Sequence, residues 1–93
     1  MNNISTQQIR IFLKAVELNN FTRVAEDLSY TPSMVSKTIT TLEDDLGIRL
    51  FNRDARDLNV TPAGKLLADE WRQVIGSIDN SILKARSLQD RQN

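Results

Sequence analysis

The segment from Thr31 to Thr41 is rich in hydroxyl side chains, carries one cation, Lys37, and contains no acid. In a helix, the 100° turn per residue places most of its polar side chains opposite Val35. These side chains are Ser33, Lys37, Thr40 and Thr41, with Ser36 on the flank. Lysine donates to guanine O6 and N7 or to phosphate, and hydroxyls donate or accept, so this face suits the major groove of DNA. The alternative is a solvated helix face that happens to be rich in hydroxyls.

Two arginines, Arg53 and Arg56, form a second candidate site in a polar segment between two short apolar stretches. The alternation around this segment predicts a hairpin. Arginines on a projecting hairpin can enter the minor groove, where a narrow width enhances the negative potential. The alternative is a charged hairpin tip that only keeps the edge soluble.

The residue types argue against catalysis and metal binding. The chain has no cysteine and no histidine, so thiolate ligands, the commonest metal ligand and the commonest general base are missing. Glu43, Asp44 and Asp45 are adjacent acids, but adjacent side chains on a helix point in different directions, so we expect a solvated face there. We therefore predict no catalytic residues, no metal site and no cofactor.

Composition leaves the partner open. Twelve Lys plus Arg balance twelve Asp plus Glu over 93 residues, so the net charge is zero. A locally positive face still acts within a Debye length of about 8–10 Å. No stretch approaches the ~20 apolar residues of a membrane span, and the N-terminus lacks a signal-peptide pattern. We expect a cytoplasmic protein with no membrane partner.

Apolar periodicity and capping residues predict three helices before the hairpin. The first covers about residues 6–18. The second begins with Thr22 as its cap and ends near Ser29. The third begins at Thr31-Pro32, a hydroxyl cap followed by proline at the first helical position, and runs to Leu46.

A short two-stranded hairpin and a fourth helix follow. Ile48 and Leu50, and then Leu58 and Val60, alternate with polar residues, as expected of two short strands. Thr61-Pro62 repeats the cap and proline signal and opens a helix to about residue 88, which would be roughly 40 Å long. Much of that helix must project from so small a domain.

The fourth helix carries an apolar stripe within an arc of about 100°. Its members are Leu67, Trp71, Val74, Ile75, Ile78, Ile82 and Ala85. Only the first turns can reach the globular part, so a partner helix should cover the remaining stripe. The stripe predicts a homodimer whose interface consists of these seven residues.

The order of elements predicts a mainly α, winged helix-turn-helix fold with three helices, a two-stranded wing and a long dimerising linker helix. The DNA-binding domain would span residues 1–61. The linker or dimerisation helix and a C-terminal tail would span residues 62–93.

Three sequence blocks in this order support the same fold. They are Phe21 to Leu28 (FTRVAEDL), Leu42 to Arg53 (LEDDLGIRLFNR) and Leu58 to Gly64 (LNVTPAG). Together they resemble the N-terminal DNA-binding domain of bacterial LysR-type transcriptional regulators, over about residues 4–88. The resemblance implies that Ser36 and Lys37 enter the major groove, that Arg53 reaches the minor groove, and that the helix after Pro62 pairs two subunits.

The sequence departs from the family pattern at the third helix. The family usually has Ser-Gln-Pro where this chain has Thr31-Pro32-Ser33, and Lys37 stands where arginine is common. We therefore do not expect the base preference of relatives to carry over. Full-length relatives continue into a small-molecule effector domain that this chain lacks, and they can form tetramers. Both an excised domain and a naturally short protein remain open.

The expected function is that of a non-enzymatic transcription regulator domain that binds an inverted-repeat operator in double-stranded DNA. The DNA-binding residues would be Thr22, Arg23, Thr31, Pro32, Ser33, Ser36, Lys37, Thr40, Thr41, Arg53 and Arg56. Thr22, Arg23 and Thr31 would contact phosphates at helix N-termini and set the register. The alternative is a protein-interaction module in which the winged helix binds a protein and the long helix docks as a coiled coil.

Overall fold

The computed structural model describes residues 3–53 and 58–91. The elements in chain order are α1 (Thr6–Leu18), α2 (Phe21–Leu28), α3 (Pro32–Leu46), β1 (Phe51–Asn52), β2 (Asn59–Val60) and α4 (Pro62–Arg91). The two strands are antiparallel, with Phe51 opposite Val60. The predicted winged helix-turn-helix fold is confirmed.

The ends of α1 follow from local side chains. The Ser5 hydroxyl accepts from the Gln8 N–H at 3.1 Å, and the Gln8 side chain accepts from the Ser5 N–H at 2.9 Å. This reciprocal capping box satisfies two N–H groups that a helix start leaves unpaired. Asn19 ends the helix in the left-handed conformation, with φ of 57°.

The start of α2 corrects the sequence prediction. Asn20, not Thr22, is the cap, and its side-chain oxygen accepts from the Arg23 N–H at 3.0 Å. Phe21 is therefore the first residue of the helix. Asn19 is the C-cap of α1 and Asn20 is the N-cap of α2, so the two helices follow one another without an intervening loop.

The bounds of α3 match the prediction. The Thr31 hydroxyl accepts from the Met34 N–H at 3.2 Å, and Pro32 occupies the first helical position, where its missing N–H leaves no bond unmade. Gly47 ends the helix with φ of 67°, a conformation that glycine adopts without steric cost. Residues 29–31 form a three-residue turn between α2 and α3.

The hairpin is shorter than the alternating pattern predicts, with two residues in each strand. The backbone from Arg49 to Leu50 is bonded elsewhere. The Leu50 N–H donates to Glu43, the Leu50 carbonyl accepts from the Thr61 N–H at 2.9 Å, and the Arg49 carbonyl accepts from the Thr61 hydroxyl at 2.6 Å. These groups hold the segment against α3 and the start of α4.

One hydrophobic core joins the helices and the wing, which we define as the hairpin of β1 and β2. Its buried members are Ile11, Phe12, Ala15, Val24, Ala25, Val35, Ile39, Leu42, Leu50, Phe51 and Ala68. Phe12 lies edge-on to Phe51 at 5.9 Å and to Trp71 at 5.6 Å between ring centroids. Such edge-to-face pairs favour a fixed arrangement, so the wing and α4 are both held on α1.

The last element, α4, extends well beyond this core. Its 30 residues correspond to about 45 Å at 1.5 Å per residue. Arg10 of α1 donates to Asp79 at 2.9 Å, and this hydrogen bond and the carboxylate charge raise the pKa of Arg10. Residues 79–91 are exposed throughout. Within the described residues, no helix is long and apolar enough to cross a membrane.

Candidate nucleic-acid interface

The predicted polar face of α3 is exposed and continuous. We call it the outer face and define it by Ser33, Lys37, Thr40 and Thr41, all of which are exposed. Ser36 is half-buried on its flank. The opposite side of the helix is anchored by Val35, Ile39 and Leu42, which are fully buried. The core thus fixes which side chains α3 presents to solvent.

The starts of α2 and α3 supply further polar groups. Thr22 and Arg23 are exposed in the first turn of α2, and Pro32 is exposed in the first turn of α3. The Thr31 hydroxyl already serves as the cap of α3 and lies 3.3 Å from the Ser33 hydroxyl. Any contact of Thr31 with a ligand would share that capping oxygen.

Met34 is an exposed apolar side chain in the first turn of α3 and is not among the predicted DNA-binding residues. It follows Ser33 directly and lies 100° from Val35 on the helical wheel, on the side of Thr41. The wheel alone could have indicated it, since neither Met34 nor Thr41 belongs to the apolar stripe of this helix.

Arg53 is fixed beside the outer face. Its Nη1 donates to the Thr40 hydroxyl at 3.1 Å, and its Nη2 donates to the Glu43 carboxylate at 3.0 Å. The guanidinium carbon lies 5.6 Å from the centroid of the Phe21 ring. The structure therefore brings Arg53 and Thr40 together. Arg56 lies outside the described residues.

The acidic cluster behaves differently from the prediction. Asp44 and Asp45 are exposed as expected, but the expectation of a solvated face is wrong for Glu43, which is only 5% exposed. Its Oε2 accepts from the Leu50 N–H at 2.8 Å and from the Phe51 N–H at 3.3 Å. The physical reason is that the chain folds back over α3 just before β1, and its N–H groups need an acceptor there. Among residues 3–53 and 58–91, no cluster of acids suits a metal ion.

The apolar stripe of α4 divides into two parts. Leu67, Trp71 and Ile75 pack on the chain's own globular part, with Trp71 against Phe12. The other four side chains are less covered: Val74 is 47% and Ile82 43% exposed, Ile78 is half-buried, and Ala85 is exposed. Four of the seven predicted interface residues thus remain available to a partner.

The fold consists of three helices followed by a two-stranded antiparallel hairpin, and α3 presents a polar face whose opposite side is buried in the core. These features define a winged helix-turn-helix protein. Residues 6–65 match the family described as bacterial regulatory helix-turn-helix protein, lysR family. The chain therefore belongs to the lysR family, and it is a DNA-binding helix-turn-helix domain of the LysR type.

Individual relatives agree with this assignment. The HTH-type transcriptional regulator PtxR of Pseudomonas aeruginosa is 33% identical over 89 residues, which cover 96% of this chain and 28% of that protein. The HTH-type transcriptional activator AllS of Klebsiella pneumoniae is 33% identical over 87 residues, which cover 94% of this chain and 32% of that protein. The chain thus spans about a third or less of the length of these relatives.

Solved structures with DNA resemble the whole described fold. The complex of the BenM DBD with benA site 1 DNA has a TM-score of 0.88 and 26% identity, covering 91% of this chain and 96% of that one. Vibrio fischeri DarR in complex with DNA has a TM-score of 0.87 and 28% identity, covering 95% of this chain and 30% of that one.

Proposed function

We propose that this domain binds double-stranded DNA in a sequence-specific manner, as a homodimer on an inverted-repeat operator, and regulates transcription in a bacterial cytoplasm. The observation that carries the proposal is the outer face of α3, which is exposed, free of acids and held from behind by fully buried side chains. An acid on such a face would be repelled by phosphate, and none is present between Thr31 and Leu42.

The outer face would enter the major groove. Lys37 would donate to a guanine edge, and Ser33, Ser36, Thr40 and Thr41 would donate to or accept from base edges and phosphates. Thr22, Arg23, Thr31 and Pro32 would lie along the backbone and set the register, because N–H groups at helix starts attract phosphate.

The wing would lie in the adjacent minor groove. Arg53 is on the side of the wing next to α3, so its guanidinium would sense groove width at the flank of the base pairs read by α3. Arg56, which belongs to the same polar segment of the sequence, would act with it.

The homodimer would form through α4. Val74, Ile78, Ile82 and Ala85 form the part of the stripe that is not packed into the chain's own core. A second copy of the same helix is complementary to this stripe by symmetry, and two linked domains would then face two half-sites.

Selection of bound sequences from a random duplex pool at moderate salt tests the proposal. We expect enrichment of a motif with two related half-sites, and an affinity that falls steeply as salt rises, because bound phosphates release counterions. Lys37→Ala should weaken binding to the enriched site. Lys84→Ala, which removes the same charge from the projecting part of α4, is the matched control and should leave binding nearly unchanged.

Zero net charge favours a second candidate, a module that binds a protein through the winged helix. That function predicts no enriched duplex and a binding affinity for the protein partner that changes little with salt. The absence of an enriched duplex would contradict DNA recognition, and salt-insensitive binding to a protein would favour this second function.

A further inference from the structure

Glu43 is a buried carboxylate on the wing side of α3, and both of its oxygens accept hydrogen bonds. Oε2 accepts from the N–H groups of Leu50 and Phe51, and Oε1 accepts from Arg53 Nη2 at 3.0 Å. With 5% of its surface exposed, Glu43 has little direct access to DNA. Hydrogen bonds to a charged acceptor are stronger than neutral ones, so the carboxylate is a firm anchor for the guanidinium.

The guanidinium of Arg53 connects Glu43 to the outer face of α3. Nη1 donates to the Thr40 hydroxyl at 3.1 Å, and the Phe21 ring lies below the guanidinium carbon. The hydrogen bonds to Thr40 and Glu43 use two of the five N–H groups of the arginine. The side chain is 32% exposed, so the guanidinium is anchored on one side and open to solvent on the other.

We infer that Glu43 is a positioning residue of the DNA interface: it holds the Arg53 guanidinium beside Thr40, so that the wing and α3 present their donors as one surface. The inference rests on the proposed DNA binding and names a residue that acts through another. An unanchored arginine must lose rotamer freedom when it binds, whereas one held before binding has already lost it. Glu43 thereby raises affinity from a buried position.

The sign of the effect separates this role from simple electrostatics. Replacing Glu43 with glutamine removes a negative charge near the proposed interface, which by charge alone should tighten binding to DNA. A positioning role predicts the opposite change, which is weaker binding to DNA. We expect Glu43→Gln to weaken binding to the selected operator by about tenfold, within the range of coupling found for contacting residues. Asp45→Asn removes the same charge from an exposed position on the same helix and should not weaken binding.

A double-mutant cycle tests whether the effect passes through Arg53. In an Arg53→Ala background, Glu43→Gln should change affinity by less than about twofold, because no guanidinium remains to be held. If Glu43→Gln weakens binding equally in both backgrounds, Glu43 acts on the fold alone and the inference is overturned. Thermal unfolding of each variant shows whether the folded fraction accounts for any loss.

Arg53→Lys supplies a test that does not depend on the folding of Glu43→Gln. Lysine keeps the charge but cannot place two donors in a planar fork on Thr40 and Glu43. We expect Arg53→Lys to bind nearly as weakly as Arg53→Ala, whereas wild-type affinity would overturn the inference. All of these affinities are measured on an operator that the wild type binds. If the proposed function is wrong, the selection yields no such operator, and this result is distinct from failure of the inference about Glu43.

Discussion

Lys37 is the one cation of the outer face, and its flexible ammonium can serve either a base edge or a phosphate. Because it lies near the centre of that face, we expect it to donate to a guanine. Lys37→Ala should lose roughly 1–3 kcal/mol of binding free energy on the best operator and flatten the preference at one base pair per half-site. Affinities for a panel of single-base operator changes measure this, with Lys65→Ala as the control. An unchanged preference profile with uniformly weaker binding would assign Lys37 to phosphate.

Gly64 occupies a position where a side chain does not fit. A Cβ there would overlap the Leu50 carbonyl oxygen and lie 2.8 Å from Val60 Cγ2. The Leu50 oxygen belongs to the backbone and cannot rotate away as a side chain can. Gly64→Ala should therefore lower the free energy of unfolding by about 1–3 kcal/mol.

Gly76 is the matched control for Gly64, since a Cβ at Gly76 meets nothing within 4 Å. Gly76→Ala should raise the free energy of unfolding by about 0.5–1 kcal/mol, because alanine loses less backbone entropy in a helix. Chemical denaturation of both variants measures the pair. Equal effects of the same sign would show that α4 does not approach Leu50 this closely.

The sequence predicted the outer face of α3 but not the roles of Glu43 and Gly64. The face follows from a local period, since Val35, Ile39 and Leu42 fix the buried side. Glu43 and Gly64 depend instead on Leu50, which reaches them only after the chain has turned back over α3. The helical period of α3 carries no information about the contacts of Leu50 with Glu43 and Gly64, because Leu50 lies outside that helix.

At the scale of elements, Ala25 reports the packing of α2 on α3. It is fully buried in the core, and α2 packs against α3. The larger side chain in Ala25→Leu would separate the helices or force strained rotamers, so we expect a loss of about 1–3 kcal/mol in the free energy of unfolding. DNA affinity should fall with it, because α3 would tilt. Ala63→Leu, at an exposed position of α4, is the control.

Thermal melting and operator binding together check the Ala25 variant. If Ala25→Leu kept both the melting temperature and the affinity of the wild type, the contact between α2 and α3 would tolerate a large side chain, contrary to its burial.

Helix ends were largely predictable because their causes are local. The Ser5 and Thr31 caps and the Gly47 stop each use groups within four residues of the helix end. The start of α2 was misplaced because Asn20 and Thr22 are both good caps and lie two residues apart. The strands were predicted too long, since the hydrogen bonds that remove Arg49 and Leu50 from the ladder come from α3 and from Thr61.

At the scale of the molecule, the long axis is set by α4. The extents are 55 × 29 × 20 Å, and residues 79–91 at the end of the helix are exposed throughout. A single amphipathic helix in water gains little from its apolar stripe unless another surface covers it. The sequence predicted the projecting helix from length alone. It assigned Leu67, Trp71 and Ile75 to the partner, although the first turns of α4 use these side chains to close the core.

The remaining stripe gives the dimer prediction its sharpest test. Ile78→Asp combined with Ile82→Asp places two charges where two apolar helices would meet, so the variant should be monomeric and should bind a two-half-site operator much more weakly. Asn80→Asp combined with Ser87→Asp adds the same charge on the other side of the helix and should leave the dimer intact. Sedimentation at tens of micromolar distinguishes a dimer from the 10.6 kDa monomer. If the wild-type chain sediments only as the monomer at this concentration, α4 is not the dimer contact, because its apolar stripe is then stable in water without a partner.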